Sequence, residues 1–450
     1  MRFIKAVIVT AAALCGPFLY GQSTNLTLDQ ATQVALQHNL SVVQADANVG
    51  AAQAGVLGAY GGYLPYVSAS GNWGRYATDK TGTTQTNLGG GTFLLPPSKS
   101  TINQFRSGVN ANMTLFDGFN RQGLVGQATS RSVSAEQTAV RTRQSIVYQT
   151  ESAYLNILRN QELVKVADEN LKRDNKQLER ITESARVGAS AQADVYRQQS
   201  IVAADQFALI QAQVTFDKSK TDLVDLIGLE VGTEYTFIDP TISLVITPAE
   251  LDSTAALYKN FMDLEKRSLI ARPDYKSAVE TYNAASSGVT SARSSYFPSV
   301  SANAGYSLGT ADQLANLSDT KTINWGLTVS WTLFDGFTTN ANVQSAVANR
   351  RIAEITVAQT ERDIYDQLKK ALLDFEAGRK QYEVSQDGVK SATEDRKIAE
   401  EKYNLGAGTL LDLLTANAGL VQAQVNLVNS VYNYITAKKN VDYIIGERTY

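Results

Sequence analysis

The sequence contains very few of the side chains that carry out nucleophilic, acid–base or metal chemistry. It has one histidine, His38, and one cysteine, Cys15, among 450 residues. A His/Cys metal site or a Cys–His catalytic pair needs more of these residues than that. No HExxH motif occurs, and Gly89-Gly90-Gly91 is followed by Thr-Phe-Leu, without the lysine of a phosphate-binding loop. We therefore expect no catalytic centre, no metal site and no cofactor.

Acidic residues are the remaining candidates for chemistry. Pairs such as Asp222 and Asp225 lie in a helix-forming stretch, where closely spaced acids are more typical of a solvated helix face than of acid–base catalysis. The formal charge of -3, from 41 basic and 44 acidic residues, provides no basic surface for nucleic acid. A soluble enzyme stays as an alternative without a motif in its favour, and we expect neither an enzyme nor a nucleic-acid-binding protein.

The first 21 residues have the pattern of a secretory signal peptide. Arg2 and Lys5 form a basic start, Ala6–Cys15 is an apolar stretch too short to span a bilayer, and Gly21 is a small residue before a cleavage point. Lipid attachment at the cysteine is an alternative. Leu14 precedes it, however, where lipoprotein processing normally needs Gly, Ala or Ser.

Several motifs occur twice in the same order, which indicates an internal duplication. Tyr63–Ala69 recurs as Tyr296–Ala302, 233 residues later, and Thr114–Phe119 recurs as Thr332–Phe337, 218 residues later. The offset of 218 also relates three shorter motifs: Gly188-Ala189 to Gly406-Ala407, Asp194-Val195 to Asp412-Leu413, and Ile227-Gly228 to Ile445-Gly446. We predict two structural repeats, residues 22–232 and 233–450, after a signal peptide at residues 1–21.

Each repeat contains two segments in which apolar residues alternate with small polar ones. They cover about residues 65–78, 103–116, 298–309 and 322–334. This period predicts β-strands with one apolar face. In the alternating stretches 67–73, 109–115, 299–308 and 323–333 the alternate face carries no charge, and Trp73, Trp325 and Trp331 all lie within these stretches. Because tryptophan is enriched at membrane interfaces, we predict membrane-spanning strands with these three aromatics at the interface. A soluble sheet with one wet face is the alternative.

Four strands cannot form a complete membrane barrel. An open strand edge cannot face lipid, and the smallest membrane barrels have about eight strands. Several chains must therefore combine, and two, three or four are compatible with the sequence. Residues 78–104 and 309–321 are rich in Gly, Thr, Ser and Asn. We predict that they are loops joining strand to strand on the outside of the cell.

Long proline-free stretches follow both strand pairs, and proline breaks helix interiors. A helix from about Asn120 to Val187 would be about 100 Å long. Its apolar residues recur at spacings of seven, which is typical of coiled-coil packing. Gly188 interrupts it and residues 191–226 are again helix-forming, which predicts a helical hairpin. The second repeat has its tip near Gly406, and helices over about residues 28–63 and 263–296 precede the strands.

The motifs in this order and spacing resemble the TolC-type outer-membrane channel family, also called outer membrane factors. The resemblance covers nearly the whole chain after the signal peptide. It is carried by the opening Leu26–Leu36, the Leu-Pro-Tyr-Val and Phe-Pro-Ser-Val strand starts, the paired Leu-Phe-Asp-Gly-Phe motifs, Ala271–Tyr275, and the two glycine-containing tips followed by Asp-Val or Asp-Leu.

This resemblance implies a mainly α-helical fold with transmembrane β-structure. Three chains would form a 12-stranded β-barrel continuous with a 12-helix periplasmic α-barrel, in the outer membrane of a Gram-negative (diderm) bacterium. The implied function is the exit duct of a tripartite efflux pump or type I secretion system, conducting substrates passively. The implied partners are outer-membrane lipid, a periplasmic adaptor (membrane fusion) protein and an inner-membrane transporter. A trimeric coiled-coil surface stalk or adhesin is the alternative.

The resemblance also implies roles for residues near the hairpin tips. Tips that contact the adaptor correspond to Val187, Gly188, Ala189, Ser190, Leu405, Gly406, Ala407, Gly408 and Thr409. Asp412 matches an acidic ring that sets cation preference at the periplasmic gate. Tyr403 and Asp194 match a Tyr and an Asp that hold the gate closed together with an Arg. This chain has Gly408 in place of that Arg, and Thr415 in place of a second acid. The alternatives are that the tip glycines only end their helices, and that Asp412 is only a solvated helix residue.

Overall fold

The computed structural model describes residues 24–87, 89–239, 246–311 and 313–447, so the predicted signal peptide with Cys15 lies outside the described residues. The helices are α1 Leu28–His38, α2 Leu40–Gly61, α3 Asn120–Arg186, α4 Gln192–Leu226, α5 Pro248–Leu257, α6 Phe261–Ala271, α7 Pro273–Arg293, α8 Thr338–Asn404 and α9 Leu410–Ile445. The strands are β1 Thr24–Leu26, β2 Tyr66–Lys80, β3 Thr83–Thr86, β4 Thr92–Leu95, β5 Ser98–Phe116, β6 Tyr235–Phe237, β7 Ser299–Thr310 and β8 Thr320–Ser330.

The prediction of a mostly helical chain with long strands is confirmed. Helices α3 and α8 occupy equivalent places in the duplication, and each has 67 residues. Each begins just after a Phe-Asp-Gly-Phe motif and ends just before a tip glycine. Among the described helices, none combines the length and the apolarity needed to cross a membrane.

The predicted helices over residues 28–63 and 263–296 are both broken, so the prediction of single helices is wrong. The breaks lie at Asn39 and Arg272, which are 233 residues apart and have extended backbone angles. Arg272 precedes Pro273, whose ring disfavours a helical conformation of the residue before it. The Asn39 side chain donates a hydrogen bond to the carbonyl oxygen of Leu226 at 2.7 Å, a contact that local sequence does not reveal.

Four strands form one antiparallel sheet in the order β2-β5-β7-β8. Val109 pairs with Ala69 on one side and with Tyr306 on the other. Tyr306 in turn pairs with Ile323. Because side chains alternate between the two faces of a sheet, this register places the predicted apolar residues of all four strands on one face.

The segment between β2 and β5 is not the loop that the sequence predicted over residues 78–104. The β2–β5 pairing continues to Lys80 and Ser98, and β3 and β4 form a further antiparallel hairpin beyond it. Hydrogen bonding of the backbone can continue through threonine-rich sequence, because β-branched residues favour strands. The amide of Gly91 donates to Oδ1 of Asn87 at 2.8 Å near the turn of this outer hairpin.

Strand β8 ends at Ser330, so the prediction of a strand to residue 334 that includes Trp331 is wrong for the single chain. Ser330 pairs with Ser299, the first residue of β7, and no residue of β7 lies opposite the segment that follows. The indole of Trp331 instead donates to the carbonyl oxygen of Tyr296 at 3.2 Å. The segment lacks a strand partner and therefore leaves the sheet.

The chain divides into two compact units, and each contains segments from both predicted repeats. The first contains the described parts of residues 1–40, 145–259 and 371–441. In this unit the buried Tyr154 hydroxyl donates to the carbonyl oxygen of Leu26 at 2.8 Å, and the Tyr154 ring meets that of Phe237 edge-on. The Tyr382 hydroxyl accepts from the amide of Ile246 at 3.0 Å. Buried tyrosines thus contact the short β1–β6 pair and Ile246.

The second unit contains the described parts of residues 41–144, 260–370 and 442–450. Its most buried charge is Arg272, which is 2% exposed and donates to the carbonyl oxygen of Ile444 at 3.2 Å and to Asp274 at 3.0 Å. Burial raises the pKa of Asp274, but hydrogen bonds from Arg272 and the charges of Arg272 and Arg141 outweigh it, so this pKa lies below its ordinary value.

Candidate functional site: the hairpin tips and the residues around them

The first tip is the turn between α3 and α4. The amide of Gly188 donates to the carbonyl oxygen of Ala185 at 3.1 Å, and that of Ala189 donates to Ser184 at 2.8 Å. These two bonds close a Schellman motif, which requires a left-handed residue, and Gly188 has a φ of +78°. Val187 beside it is 64% exposed. The tip therefore presents a small, exposed surface on a firmly capped helix.

The second tip repeats this geometry between α8 and α9. The amide of Gly406 donates to Tyr403 at 3.0 Å and that of Ala407 to Lys402 at 2.8 Å, with a φ of +72° at Gly406. A side chain added at Gly406 would meet no other atom within 4 Å, whereas one at Gly408 would lie 3.0 Å from the Lys402 side chain. Both tip glycines thus have a capping role, and both stand in open space.

Asp412 begins α9 as part of a reciprocal cap. Its Oδ2 accepts from the backbone amide of Thr409 at 3.0 Å and from the Thr409 hydroxyl at 2.7 Å. The Asp412 amide donates back to the Thr409 hydroxyl at 3.2 Å. The hydrogen bonds from Thr409 hold the pKa of Asp412 below its ordinary value, with a smaller contribution from the charge of Lys402. The carboxylate is exposed and ionised at neutral pH.

Asp194 holds the equivalent place at the start of α4 but has different partners. Ala191 precedes it where α9 has Thr409, so α4 begins without a side-chain cap. Oδ1 of Asp194 accepts from Arg197, three residues further along the same helix, at 3.2 Å. The charge of Asp194 also acts on Tyr403, which lies on the other hairpin of the same unit.

The structure brings Tyr403, Asp194 and Ser190 together and leaves Asp412 apart. Tyr403 packs beside an apolar cluster of Ile181, Val195 and Leu410 and borders the same surface as Ser190. Burial and the charge of Asp194 raise the pKa of Tyr403, and the Ser190 side chain partly offsets them. The hydroxyl is therefore neutral at physiological pH and able to donate.

Two features near the tips escaped the sequence reasoning. Arg197 supplies a guanidinium beside Asp194, although Gly408 occupies the place of the family's Arg. Arg180 on α3 approaches Glu400 on α8 at 3.5 Å, and Arg396 bonds the same carboxylate at 2.8 Å. The Asp194–Arg197 pair had a local signal in the sequence, since its members are three residues apart. The Arg180–Glu400 pair joins residues 220 apart and had no such signal.

A groove of about 580 Å³ runs between the two tips. Its lining includes Ser184, Val187, Ser190, Tyr403, Gly406 and Gly408. Most of the predicted tip residues and one gate residue therefore border one continuous surface within this unit. The two predicted gate acids, Asp194 and Asp412, are not part of that lining.

The three predicted interface aromatics are all well exposed in the single chain. Trp73 lies in β2 opposite Phe105 on β5, with ring centroids 6.5 Å apart. Trp325 lies in β8 opposite Ala304 and is 84% exposed. Trp331, just beyond β8, is 59% exposed.

Comparisons with known proteins identify the family. The profile of a family described as Outer membrane efflux protein matches residues 31–229 and 264–447. The outer membrane efflux protein BepC of Brucella suis biovar 1 is 22% identical over 436 residues, covering 96% of this chain and 88% of BepC. The crystal structure of the CmeC outer membrane channel of Campylobacter jejuni has a TM-score of 0.78 at 19% identity, covering 99% of this chain and 94% of CmeC.

The outer membrane protein VceC of Vibrio cholerae gives a similar result, with a TM-score of 0.77 at 20% identity and coverage of 93% of this chain and 96% of VceC. At these identities the solved structures establish the fold, while the profile match establishes the family. The predicted resemblance to TolC-type channels is confirmed. The chain is an outer-membrane protein and belongs to the Outer membrane efflux protein family, the channel family of efflux pumps.

Proposed function

We propose that three copies of this chain form a passive exit duct through the outer membrane for a tripartite efflux pump or a type I secretion system. The observation that carries the proposal is a four-stranded sheet in which β5 and β8 are each followed along the chain by a 67-residue helix. Only Asp117-Gly118-Phe119 separates β5 from α3. Such a chain can place strands in lipid and helices in water without a flexible linker between them.

The sheet is built for lipid on one side and water on the other. Its apolar face carries exposed tryptophans and aliphatic residues, including Trp325, Leu327 and Val329. The opposite face carries small amide and hydroxyl residues such as Asn303 and Thr328. Lipid leaves backbone groups without hydrogen-bond partners, so the sheet must close on itself. Three chains would supply twelve strands, and the duct would conduct without catalysis.

Mass measurement of the detergent-purified protein tests the assembly. We expect a species of three chains with full β content, since a four-stranded sheet alone leaves two unpaired edges in lipid. Single-channel recording in planar bilayers from the same sample should show an open duct. A monodisperse single chain with full β content would contradict the proposal.

We further propose that the two tips bind the periplasmic adaptor. The support is the groove between them together with the exposed, small residues on its rim. Adaptor tips could approach its backbone closely because Gly188 and Gly406 have no neighbouring atoms where a side chain would point. An inner-membrane transporter would join through the adaptor.

Variants must separate adaptor contact from helix capping. Gly188→Leu with Gly406→Leu adds bulk but also strains the left-handed backbone. Ala189→Leu with Ala407→Leu adds bulk beside each glycine and leaves both caps intact. Gly188→Asn with Gly406→Asn replaces each glycine by a residue that tolerates the left-handed backbone conformation. We expect both Leu pairs to abolish export while trimers reach the outer membrane. Normal export in the Ala→Leu pair would contradict tip binding.

The periplasmic gate is the last part of the proposal. Three copies of ionised Asp412 in a narrowing would attract cations and repel one another. Tyr403, which lies beside Ser190 and near Asp194, would hold the two hairpins together, with Arg197 as a partner of Asp194. The competing explanation is that Asp412 only caps α9, which its bonds to Thr409 support.

Two matched variants distinguish these roles of Asp412. Asp412→Asn removes the charge and retains an oxygen for the cap, whereas Thr409→Ala removes the capping hydroxyl and retains the charge. We expect only Asp412→Asn to reduce cation selectivity and weaken block by multivalent cations in planar bilayers. Tyr403→Phe should raise conductance. An unchanged reversal potential and unchanged cation block in Asp412→Asn would show that this residue is a cap alone.

A further inference from the structure

The four long strands carry few charges, and their register assigns each charge to one face of the sheet. The charged residues of β2, β5, β7 and β8 are Arg75, Asp79, Lys80, Lys99, Arg106 and Lys321. Only Arg106 and Lys80 belong to the polar face. Lys80 pairs with Ser98, beyond the part of β5 that β7 reaches. Arg106 is therefore the one charged residue of these strands on the polar face of the fully paired region.

The other charges of the strands lie on the apolar face. Arg75 follows Trp73 by two positions and so shares its face. Asp79 and Lys99 are directly paired on the same face and form a salt bridge at 3.0 Å. Lys321 shares the face of Leu308, with which it pairs. Within these four strands, the polar face carries no acidic side chain at all.

Arg106 stands level with aromatic residues of the apolar face. It pairs with Asn72 on β2 and with Gly309 on β7. Its neighbour along the chain, Phe105, points to the opposite face, where its ring lies 6.5 Å from that of Trp73. Since Trp73 is a predicted membrane-interface residue, the arginine lies on the polar side of the sheet at the level of that interface.

Neutral groups hold the Arg106 side chain. Its Cγ atom lies 3.8 Å from the position that a Cβ atom would take at Gly309, so the aliphatic part of the side chain crosses over this glycine. The Gln104 amide, oriented to satisfy both groups, accepts from Nη2 of Arg106 at 2.8 Å and from Nε at 3.3 Å. These contacts position the guanidinium group and leave its charge uncompensated.

The described acids at this end of the sheet are held away from the polar face. Asp79 is paired with Lys99 on the apolar face. Asp319 accepts from the hydroxyl of Thr310 at 3.4 Å, and Thr310 lies opposite Phe105, also on the apolar face. The positive charge on the polar face is therefore not cancelled by either acid.

In the proposed duct the polar face lines a water-filled barrel, so three copies of Arg106 would form one ring. Twelve strands about 4.8 Å apart and tilted by about 40° give a barrel with a backbone radius of about 12 Å. Inward-pointing side chains narrow this lumen, so most of it lies within one Debye length of the wall, about 10 Å at 0.1 M salt. The low-dielectric lipid around the barrel strengthens the field inside.

We propose that Arg106 determines the charge selectivity of the outer end of the duct, where a ring of three guanidinium groups attracts anionic solutes. Guanidinium groups bind carboxylate and phosphate oxygens in pairs, so acidic and phosphate-bearing solutes are the class favoured. The predicted ring of Asp412 would have the opposite preference. This inference rests on the proposed function, because the polar face encloses a lumen only in a closed assembly, and it adds a residue that selects among solutes.

Reversal potentials in planar bilayers under a KCl gradient test the ring. Arg106→Gln removes the charge and keeps a polar side chain, and should shift the reversal potential towards greater cation selectivity. Arg106→Glu should shift it further in the same direction, because it replaces three positive charges by three negative ones. Arg106→Lys retains the charge and should behave as the wild type.

Arg75→Gln is the matched control. It makes the same change on the adjacent strand β2, at a residue that is also exposed in the single chain but lies on the apolar face. We expect the wild-type reversal potential, because lipid and the barrel wall separate this charge from the lumen. Equal shifts in Arg75→Gln and Arg106→Gln would show that the face does not matter and would overturn the ring.

Block by a multivalent anion provides a second readout. Inorganic tripolyphosphate should reduce the conductance of the wild type and of Arg75→Gln at similar concentrations. Half-block of Arg106→Gln should need at least about a tenfold higher concentration, since three charges near the lumen each act on several charges of the anion. A purely structural role of Arg106 would lower the yield of the three-chain species without changing selectivity or block.

The outcomes separate this inference from the proposed duct. A conducting three-chain species whose reversal potential and tripolyphosphate block are the same in the wild type, Arg106→Gln and Arg106→Glu would overturn the ring and leave the duct standing. The wild type needs no variant for one check, since absence of tripolyphosphate block would also overturn the ring. A single-chain native mass without conductance would overturn both proposals.

Discussion

The two repeats agree in backbone and differ in the side chains that their helical hairpins bury. Val195 and Leu413, equivalent in the duplication, are 3% and 2% exposed, so the hairpins bury the same positions. The first hairpin nevertheless has a polar core where the second has small apolar residues. Asp174, Asp205, Gln198 and Asn170 of the first correspond to Ala392, Ala423, Ala416 and Gly388 of the second.

The polar core of the first hairpin is bonded across its two helices. Asn170 on α3 donates to Asp205 on α4 at 2.8 Å, and Gln198 on α4 donates to the carbonyl oxygen of Asp174 at 3.1 Å. Burial, and then the neighbouring Asp174 carboxylate, raise the pKa of Asp205 to about 7, although Asn170 and Arg173 act in the opposite direction. The two hairpins thus share a backbone geometry but differ in the polarity of the side chains in their cores.

The two strand–helix junctions differ in a similar way. Arg121 is 8% exposed, pairs with Asp117 at 3.0 Å and donates to the carbonyl oxygens of Thr114 and Leu115. The second repeat has Thr339 in its place, which donates to an exposed Asp335. The arginine ties its helix to the preceding strand, and the threonine only caps a helix.

The largest expected effect is therefore at the first junction. Arg121→Ala leaves the Asp117 carboxylate partly buried without its cation, which should cost about 3–5 kcal/mol of unfolding free energy. Thr339→Ala, the same change in the second repeat, should cost no more than about 1 kcal/mol. Thermal unfolding in detergent compares them. Equal losses would mean that the junctions are energetically equivalent despite their different bonds.

A smaller effect should appear as a pH dependence confined to the first hairpin. The folded pKa of Asp205, about 7, lies above the value of about 4 in an unfolded chain. The folded state therefore holds an extra proton between these values, and stability falls as pH rises from about 4 to 7. Asp205→Asn should stabilise the protein at pH 8 by about 1–2 kcal/mol, allowing for solvent screening, and flatten the profile.

Controls for this pH effect exist in both repeats. Asp217→Asn changes an exposed acid on the same helix, α4, and should leave the profile unchanged. Ala392→Asp with Ala423→Asp should transfer a similar pH dependence to the second hairpin. If the thermal midpoint of the wild type did not fall relative to that of Asp205→Asn between pH 5 and pH 8, the assignment of the extra proton to Asp205 would be wrong.

The smallest effect is at the hairpin tips, where only the second has a capping box. Ala191→Thr would give α4 the hydroxyl that Thr409 gives α9, and should add about 0.5–1 kcal/mol of stability. Thr409→Ala should remove a similar amount. Hydrogen exchange of the first-turn amides of α4 and α9 measures both locally. No gain in protection of the α4 turn would show that Asp194, engaged with Arg197, prevents the new cap.

Much of the fold was predictable because its signals are local. The predicted hairpin helices over Asn120–Val187 and 191–226 differ from the observed α3 and α4 by one residue at their adjoining ends. Tip glycines and the alternation of residues in strands are signals that extend over only a few sequence positions. The break at Asn39 was missed, since its bond is to Leu226, distant in sequence.

The candidate site shows the same limit. The tip residues could be predicted from their glycines and from the duplication. The proximity of Tyr403 to Ser190 joins two hairpins, so only the folded structure revealed it. The polar core around Asp205 also escaped notice. An acid on a long helix is usually solvated, and only the packing of α3 on α4 partly buries this one beside Asp174.

The sequence by itself determined the duplication, the strand and hairpin positions and the family, because these depend on periodicity, glycine placement and motif order. The tertiary structure decided which acid lies against another in the first hairpin, which junction is tied by arginine, and where β8 stops. Those outcomes depend on neighbours far along the chain. Residues Trp331–Phe334 show the difference best: their alternation is that of a strand, but a strand needs a partner for its backbone hydrogen bonds, and the single chain does not provide one.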